Sequence, residues 1–184
     1  GAISWSDVDS GEAALIARCA AGDEVACAEL VAAHQRMVYG LALNLLGDRD
    51  EALDLCQGVF LRVFRTLSGF RSKSALRTWI YRIAVNQASN RRRWWSRRHR
   101  GEQVSLDEHL RTFGDVVSRQ EVQPDRLLAS WETAERIWQA LVRLPFNQRT
   151  ALILREVDGL RYEEIAFTIS VAVGTVKSRL TRAR

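Results

Sequence analysis

The chain has little that would break a helix. Its 184 residues contain two prolines, Pro124 and Pro145, and almost no strand-like alternation, so a sheet-based architecture is excluded and an all-α fold expected. Cysteine is equally sparse: Cys19, Cys27 and Cys56 are odd in number and lack CxxC spacing, and the three histidines, His34, His99 and His109, lie far apart. Neither a disulfide framework nor a metal site is indicated. No apolar run approaches the roughly 20 residues that span a bilayer, and the start, GAISWSDVDSGEA, has no basic or apolar segment of a signal peptide. No membrane insertion is expected, and the location expected is cytoplasmic. Also missing are a Gly-rich phosphate loop, a pair of carboxylates placed for acid–base work and a ligand cluster, so no catalytic residue, cofactor or enzymatic activity is expected. Lysine occurs only at Lys73 and Lys177; nearly all the basic charge is arginine.

What is present is enough apolar material to build cores, 47% of residues, and a formal net charge of +5 that favours an anionic partner. The charge is unevenly spread. Arg91, Arg92, Arg93, Arg97, Arg98 and Arg100 crowd ten positions with no acid among them, interrupted by Trp94 and Trp95. Such density attracts phosphates through Coulomb force and counterion release, and flat aromatic faces suit unstacked bases at roughly 1–3 kcal/mol per base.

Apolar residues recur at helical spacing through the first hundred positions. A short helix spans Glu12 to Ala20, stopped by Gly22. Asp23 is placed to cap a second helix whose Leu30, His34, Met37, Val38, Leu41 and Leu45 form a stripe up to Gly47. Asp48 and Glu51 have capping-box spacing and open a third helix with Ala52, Val59, Phe60, Val63 and Leu67 inward and Asp54, Gln57, Arg62 and Arg65 outward. Ser68 and Gly69 end it. Ser74 is expected to cap a fourth helix with Leu76, Trp79, Ile80, Ile83 and Ala84 inward. Residues 10–98 thus predict a four-helix bundle.

From Glu102 to Asp125 periodicity weakens and acids outnumber bases. Residues 99–125 are read as an acidic flexible linker, with an r.m.s. span of roughly 25–30 Å. Residues 126–184 form a second helical module: a helix with Leu127, Trp131, Ala134, Trp138, Leu141 and Leu144 stopped by Pro145, a helix from about Asn147 to Val157, a turn at Asp158–Gly159, then two short helices around a break at Ser170 to Val173. Ile165, Ala166, Val176 and Leu180 supply apolar contacts for a helix-turn-helix. The last helix carries Thr175, Lys177, Ser178, Arg179, Thr181, Arg182 and Arg184 and no acid, which suits a major groove.

In this order and spacing, GDEVACAEL, GDRDEALDLCQGVFLRVFRTL, FRSKSALRTWIYRIAVN, LPFNQRTALILREVDGLRYEEIA and VGTVKSRLTRAR resemble the extracytoplasmic-function sigma factors. These are small bacterial RNA polymerase specificity subunits of the sigma-70 family. The resemblance implies that residues 10–98 are sigma region 2 and residues 126–184 sigma region 4. It implies core RNA polymerase as partner, through the clamp helices of the largest subunit and the flap, together with promoter DNA, both duplex and non-template single strand, and an anti-sigma factor.

By the same resemblance Asp54, Leu55, Gln57 and Leu61 dock on core polymerase. Phe70, Arg71, Trp79, Asn86, Asn90 and Arg91 read the minus-ten element, with Phe70 and Asn86 lining the pocket of a flipped base and Trp79 buttressing it. Lys177, Ser178, Thr181 and Arg182 read the minus-thirty-five element, and Thr175 and Arg179 hold its phosphates. The chain departs from the family pattern at Cys56, usually aliphatic; Gly58, usually Glu; Ser72, usually Gly; and Ser170 and Ala172, commonly Gly and Pro. The rival expectation is a stand-alone helix-turn-helix regulator, which binds duplex DNA unaided and has no use for an Asp54 face.

Overall fold

A computed structural model describes residues 10–70, 74–98 and 136–184, with backbone only at 10 and 95–98. The expected linker, Arg71 and the start of the second module lie outside the described residues.

Helices α1 (Ser10–Ala20), α2 (Glu24–Leu46), α3 (Arg49–Thr66) and α4 (Leu76–Arg98) form the first module. Their ends follow local chemistry. The Asp23 carboxylate accepts from the Ala26 amide at 3.0 Å and starts α2, while Arg18 holds the same carboxylate at 2.8 Å. Gly47 ends α2 in the left-handed region, φ 76°, and its amide donates to the Leu43 carbonyl at 2.8 Å.

Asp48 caps α3 by accepting from the Glu51 amide at 2.8 Å. The expected capping box is only half made, because the Glu51 side chain turns to Arg91 on α4 instead. A 3₁₀ turn, Leu67–Gly69, then ends α3. The cap of α4 also differs from expectation: Ala75 supplies the first carbonyl, accepting from Trp79 at 3.1 Å, while Ser74 sits one residue earlier and is buried.

Leu30, Val38, Leu41 and Leu45 of α2 meet Leu55, Val59 and Val63 of α3 and Leu76, Ile80 and Ala84 of α4 in a core closed to solvent. Each such aliphatic side chain contributes about 1.5–3 kcal/mol relative to exposure. Helix propensity alone would not hold these segments; the shared apolar face does.

The second module has helical residues 136–143 (α5), α6 (Phe146–Leu152) continuing as a π-helical turn (Ile153–Val157), α7 (Tyr162–Thr168) and α8 (Val173–Ala183). Trp138, Ile153, Leu154, Leu160, Ile165, Val176 and Leu180 fill its core. The π turn ends where the Asp158 amide donates to the Ile153 carbonyl at 3.1 Å and Gly159 adopts φ 71°. The break between α7 and α8 turns on Ser170, φ 54°, the one non-glycine residue at positive φ among those described.

The two modules lie against each other. α4 packs on α7, and α2 touches α6 and the π turn.

Candidate nucleic-acid and polymerase interfaces

Three surfaces carry the residues singled out in the sequence. The first begins where the chain leaves the 3₁₀ turn. Phe70, in extended backbone, brings its ring to 5.1 Å from that of Trp79 at a 50° tilt. Both rings are half-buried against the first core, so Trp79 fixes Phe70 from behind and leaves part of its face open. Asn86 and Asn90 are exposed along α4, four residues apart and hence on one side.

Asn90 accepts from Arg93 Nη2 at 2.7 Å. Arg91 is held more firmly: its Nη1 donates to the Glu51 carboxylate and, at 3.3 Å, to the Glu51 carbonyl, with the Asp54 carboxylate 3.9 Å from Nη2. Arg91 therefore ties α4 to the expected polymerase face of α3.

That second surface is the outer side of α3. Leu53, Gln57 and Leu61 recur every four residues and are exposed, with Asp54 beside them. Leu53 was not among the expected contacts, though its spacing from Gln57 and Leu61 marks it. Leu55 is the correction: it is sealed in the bundle core, because position 55 falls on the stripe with Val59 and Val63, and its side chain is not offered to a partner.

Gly58 lies on the side of α3 turned to α4. There Gln87 Nε2 donates to the Gly58 carbonyl at 2.9 Å, and a Cβ at position 58 would stand 2.8 Å from Gln87 Oε1. The Gln87 amide fills the space that a larger residue would take.

The third surface is α8. Val176 and Leu180 anchor it in the core, and Lys177, Ser178, Thr181 and Arg182 are all exposed. The hydroxyls of Ser178 and Thr181 donate back to the carbonyls of Thr175 and Lys177, at 2.9 and 3.0 Å, which leaves their lone pairs as acceptors for an incoming group. Thr175 and Arg179 are half-buried.

The family-level comparisons bear on these surfaces together. Sigma-70 region 2 matches residues 30–98, and Sigma-70 region 4 matches residues 134–184. The RNA polymerase sigma-H factor of Pseudomonas aeruginosa is 38% identical over 170 residues, 92% of this chain and 88% of the relative.

The chain belongs to the extracytoplasmic-function sigma factors of the sigma-70 family.

The sigma-E factor of Escherichia coli is 36% identical over the same length and coverage. Two solved structures share the fold. The sigma factor RpoE of Bartonella quintana, in complex with the anti-sigma factor NepR, has a TM-score of 0.64 at 22% identity, covering 85% of this chain and 90% of that one. CnrH in complex with the cytosolic domain of CnrY has a TM-score of 0.64 at 21% identity, covering 92% and 90%. As a sigma factor of RNA polymerase the chain has core polymerase and promoter DNA as partners, and the stand-alone regulator is set aside. No helix among the described residues is long and apolar enough to cross a membrane.

The sequence did not signal what α4 does with the rest of its surface. Tyr81 Oη donates to Asp158 Oδ1 at 2.9 Å, and Arg77 Nη2 donates to the Asp158 carbonyl at 3.1 Å. Burial pushes the Asp158 carboxyl up to about 6 despite Tyr81 and Arg77, and raises Tyr81 as well. His34 on α2 is lowered by burial and then by Arg77.

Farther along, the Arg82 guanidinium lies 5.0 Å over the Phe167 ring and that of Arg92 5.0 Å over Phe146. Arg149, buried, also faces Phe146 at 5.8 Å, and burial followed by the charge of Arg92 lowers it to about 10. Between these contacts is a cavity of about 110 Å³, lined by Val85, Asn86 and Ser89 of α4 and by Phe146, Asn147, Thr150, Ile169 and Arg179 of the second module.

Proposed function

We propose that the chain directs core RNA polymerase to two-part promoters by assigning one step to each surface. The side of α3 bearing Leu53, Asp54, Gln57 and Leu61 docks on the clamp helices of the largest subunit. Two exposed leucines beside an acid and an amide suit such a face, since apolar area supplies affinity and the polar groups fix orientation. The second module engages the flap and places α8 in the major groove of the minus-thirty-five element. Lys177 and Arg182 there reach base edges, and Ser178 and Thr181 offer acceptors.

Phe70 and Asn86 take a flipped base of the non-template strand, one by stacking and one through its amide. Asn90 and Arg91 follow the strand. The single observation that carries this reading is the Phe70–Trp79 ring pair at the start of α4, with Asn86 exposed seven residues further along the same helix: an aromatic face backed by a second ring, and an unburied amide about two turns on. Capturing the unstacked base favours the open duplex, because a ligand that binds only one of two states shifts the equilibrium toward it. No bond is made or broken by the chain in this role, so it acts as a non-enzymatic factor, in the cytoplasm with the polymerase. As RpoE and CnrH are solved with NepR and CnrY, an anti-sigma factor is the regulator proposed for this chain.

Run-off transcription by core polymerase with and without the chain, on a promoter library, tests the assignment. Promoter-specific transcripts that need the chain support it; sequence-specific duplex binding by the chain alone, with no transcript, overturns it.

A further inference from the structure

We infer that Gln87 is a positioning residue for base capture: its amide, seated on Gly58, fixes the part of α4 that carries Asn86 and Asn90 against the helix that docks on core polymerase. The inference rests on the reading of Asn86 as the base contact. Leu76, Ile80, Ala84 and Ala88 bury one side of α4 in the bundle core, but none of positions 89–94 is buried. The stretch that holds Asn90 needs another tie to α3. Polar bonds supply it: Gln87 Nε2 donates to the Gly58 carbonyl at 2.9 Å, and one turn on Arg91 Nη1 donates to the carbonyl and the carboxylate of Glu51. Residues 87 and 91 share one side of α4, and residues 86 and 90 share the side about 100° round from it. The bonds to α3 therefore set the angle at which the two exposed amides are presented.

Gly58 makes the closer of these ties possible. A Cβ at position 58 would stand 2.8 Å from Gln87 Oε1 and 3.8 Å from its Cδ, so the amide lies over the Gly58 backbone and any side chain there would lift it. Glycine weakens a helix interior, and here it leaves the seat that Gln87 fills. The seat adjoins the docking face, because Gly58 directly follows the exposed Gln57. Through Gln87, the position of α3 on the polymerase becomes the position of Asn86 on the strand.

The test is the affinity of holoenzyme for forked DNA with a single-stranded non-template minus-ten segment, measured beside core affinity and thermal melting of the chain. Gln87→Met keeps the length of the side chain and removes the amide. It should leave core affinity unchanged and weaken forked-DNA binding about fivefold, the size of one hydrogen bond. Gly58→Ala should weaken that binding to a similar extent by displacing the amide, while its melting temperature holds or rises because alanine favours the helix. A merely structural role would lower stability and binding together. The double variant Gly58→Ala/Gln87→Met should bind no more weakly than either single one, since both remove the same contact. Wild-type binding to forked DNA by both single variants overturns the inference, as does a loss matched by an equal loss of core affinity. Asn86→Ala in the same assay tests the underlying reading by itself: wild-type binding by that variant, beside weakened binding by Gln87→Met, removes Asn86 as the base contact and leaves Gln87 as the residue that seats α4.

Discussion

Tyr81 Oη and Asp158 Oδ1 lie 2.9 Å apart across 77 residues of sequence, and this hydrogen bond joins the module expected to melt DNA to the module expected to find it. Two modules proposed to read separate promoter elements are thereby in contact within one chain. Neither residue is among those expected to contact DNA.

The pH response of this contact has a definite sign. Burial raises the Asp158 carboxyl from 3.8 to about 6 in the folded chain, so folding takes up a proton there. The contact is then strongest below about 4 and weakens as pH rises through 6. Asp23, lowered by the Ala26 amide and then Arg18, works the opposite way on the first module and loses its contribution in acid. The comparison that isolates Asp158 is wild type against Asp158→Asn. Thermal stability of the wild type should gain on that of the variant between pH 7.5 and 5.5, and a difference that stays constant with pH would contradict the assignment.

Much of the fold was readable from local chemistry. Asp23, Gly47 and Asp48 act at helix ends as their types demand, and the stripes on α2, α3 and α4 face one core. Local rules failed where a distant partner competed. Glu51 leaves its capping box for Arg91, forty residues on, and the apparent helix-weakening Gly58 is matched to the Gln87 amide. Leu55 is a polymerase contact by resemblance alone, while its spacing from Val59 and Val63 places it inward, where it is buried. Tyr81, Asp158 and the arginine–phenylalanine contacts had no signal at all, because a docking between modules leaves no period in either one.

The α3 face predicts a separation of binding from stability. Leu61→Glu on an exposed position should change folding stability by no more than about 0.5 kcal/mol, while binding to core polymerase falls by about 2 kcal/mol, roughly thirtyfold. Thermal melting and a core-binding titration on the same variant measure both. Equal core affinity for wild type and variant would remove Leu61 from the interface.

Ser170 offers a stabilising substitution. Its φ of 54° carries a left-handed cost of about 1–2 kcal/mol that glycine lacks, partly offset by the larger entropy of glycine when unfolded, about 0.4–1 kcal/mol. Ser170→Gly should gain about 0.5–1 kcal/mol in denaturant unfolding without altering α8.

On α8, Arg182 is exposed beside Lys177 and Ser178. Arg182→Ala should cost about 1–3 kcal/mol on the preferred minus-thirty-five sequence and flatten discrimination among variants of it. A uniform loss across all duplexes, with a reduced salt slope, would reassign Arg182 to phosphate.

The central claim is that the Phe70 and Asn86 side of α4 captures a base and so opens the promoter. Permanganate reactivity of thymines at the minus-ten element, in holoenzyme carrying Asn86→Ala, tests it most directly. The variant should bind core polymerase and the minus-thirty-five duplex as wild type does, yet show loss of reactive thymines; a bubble with wild-type reactivity would contradict the claim.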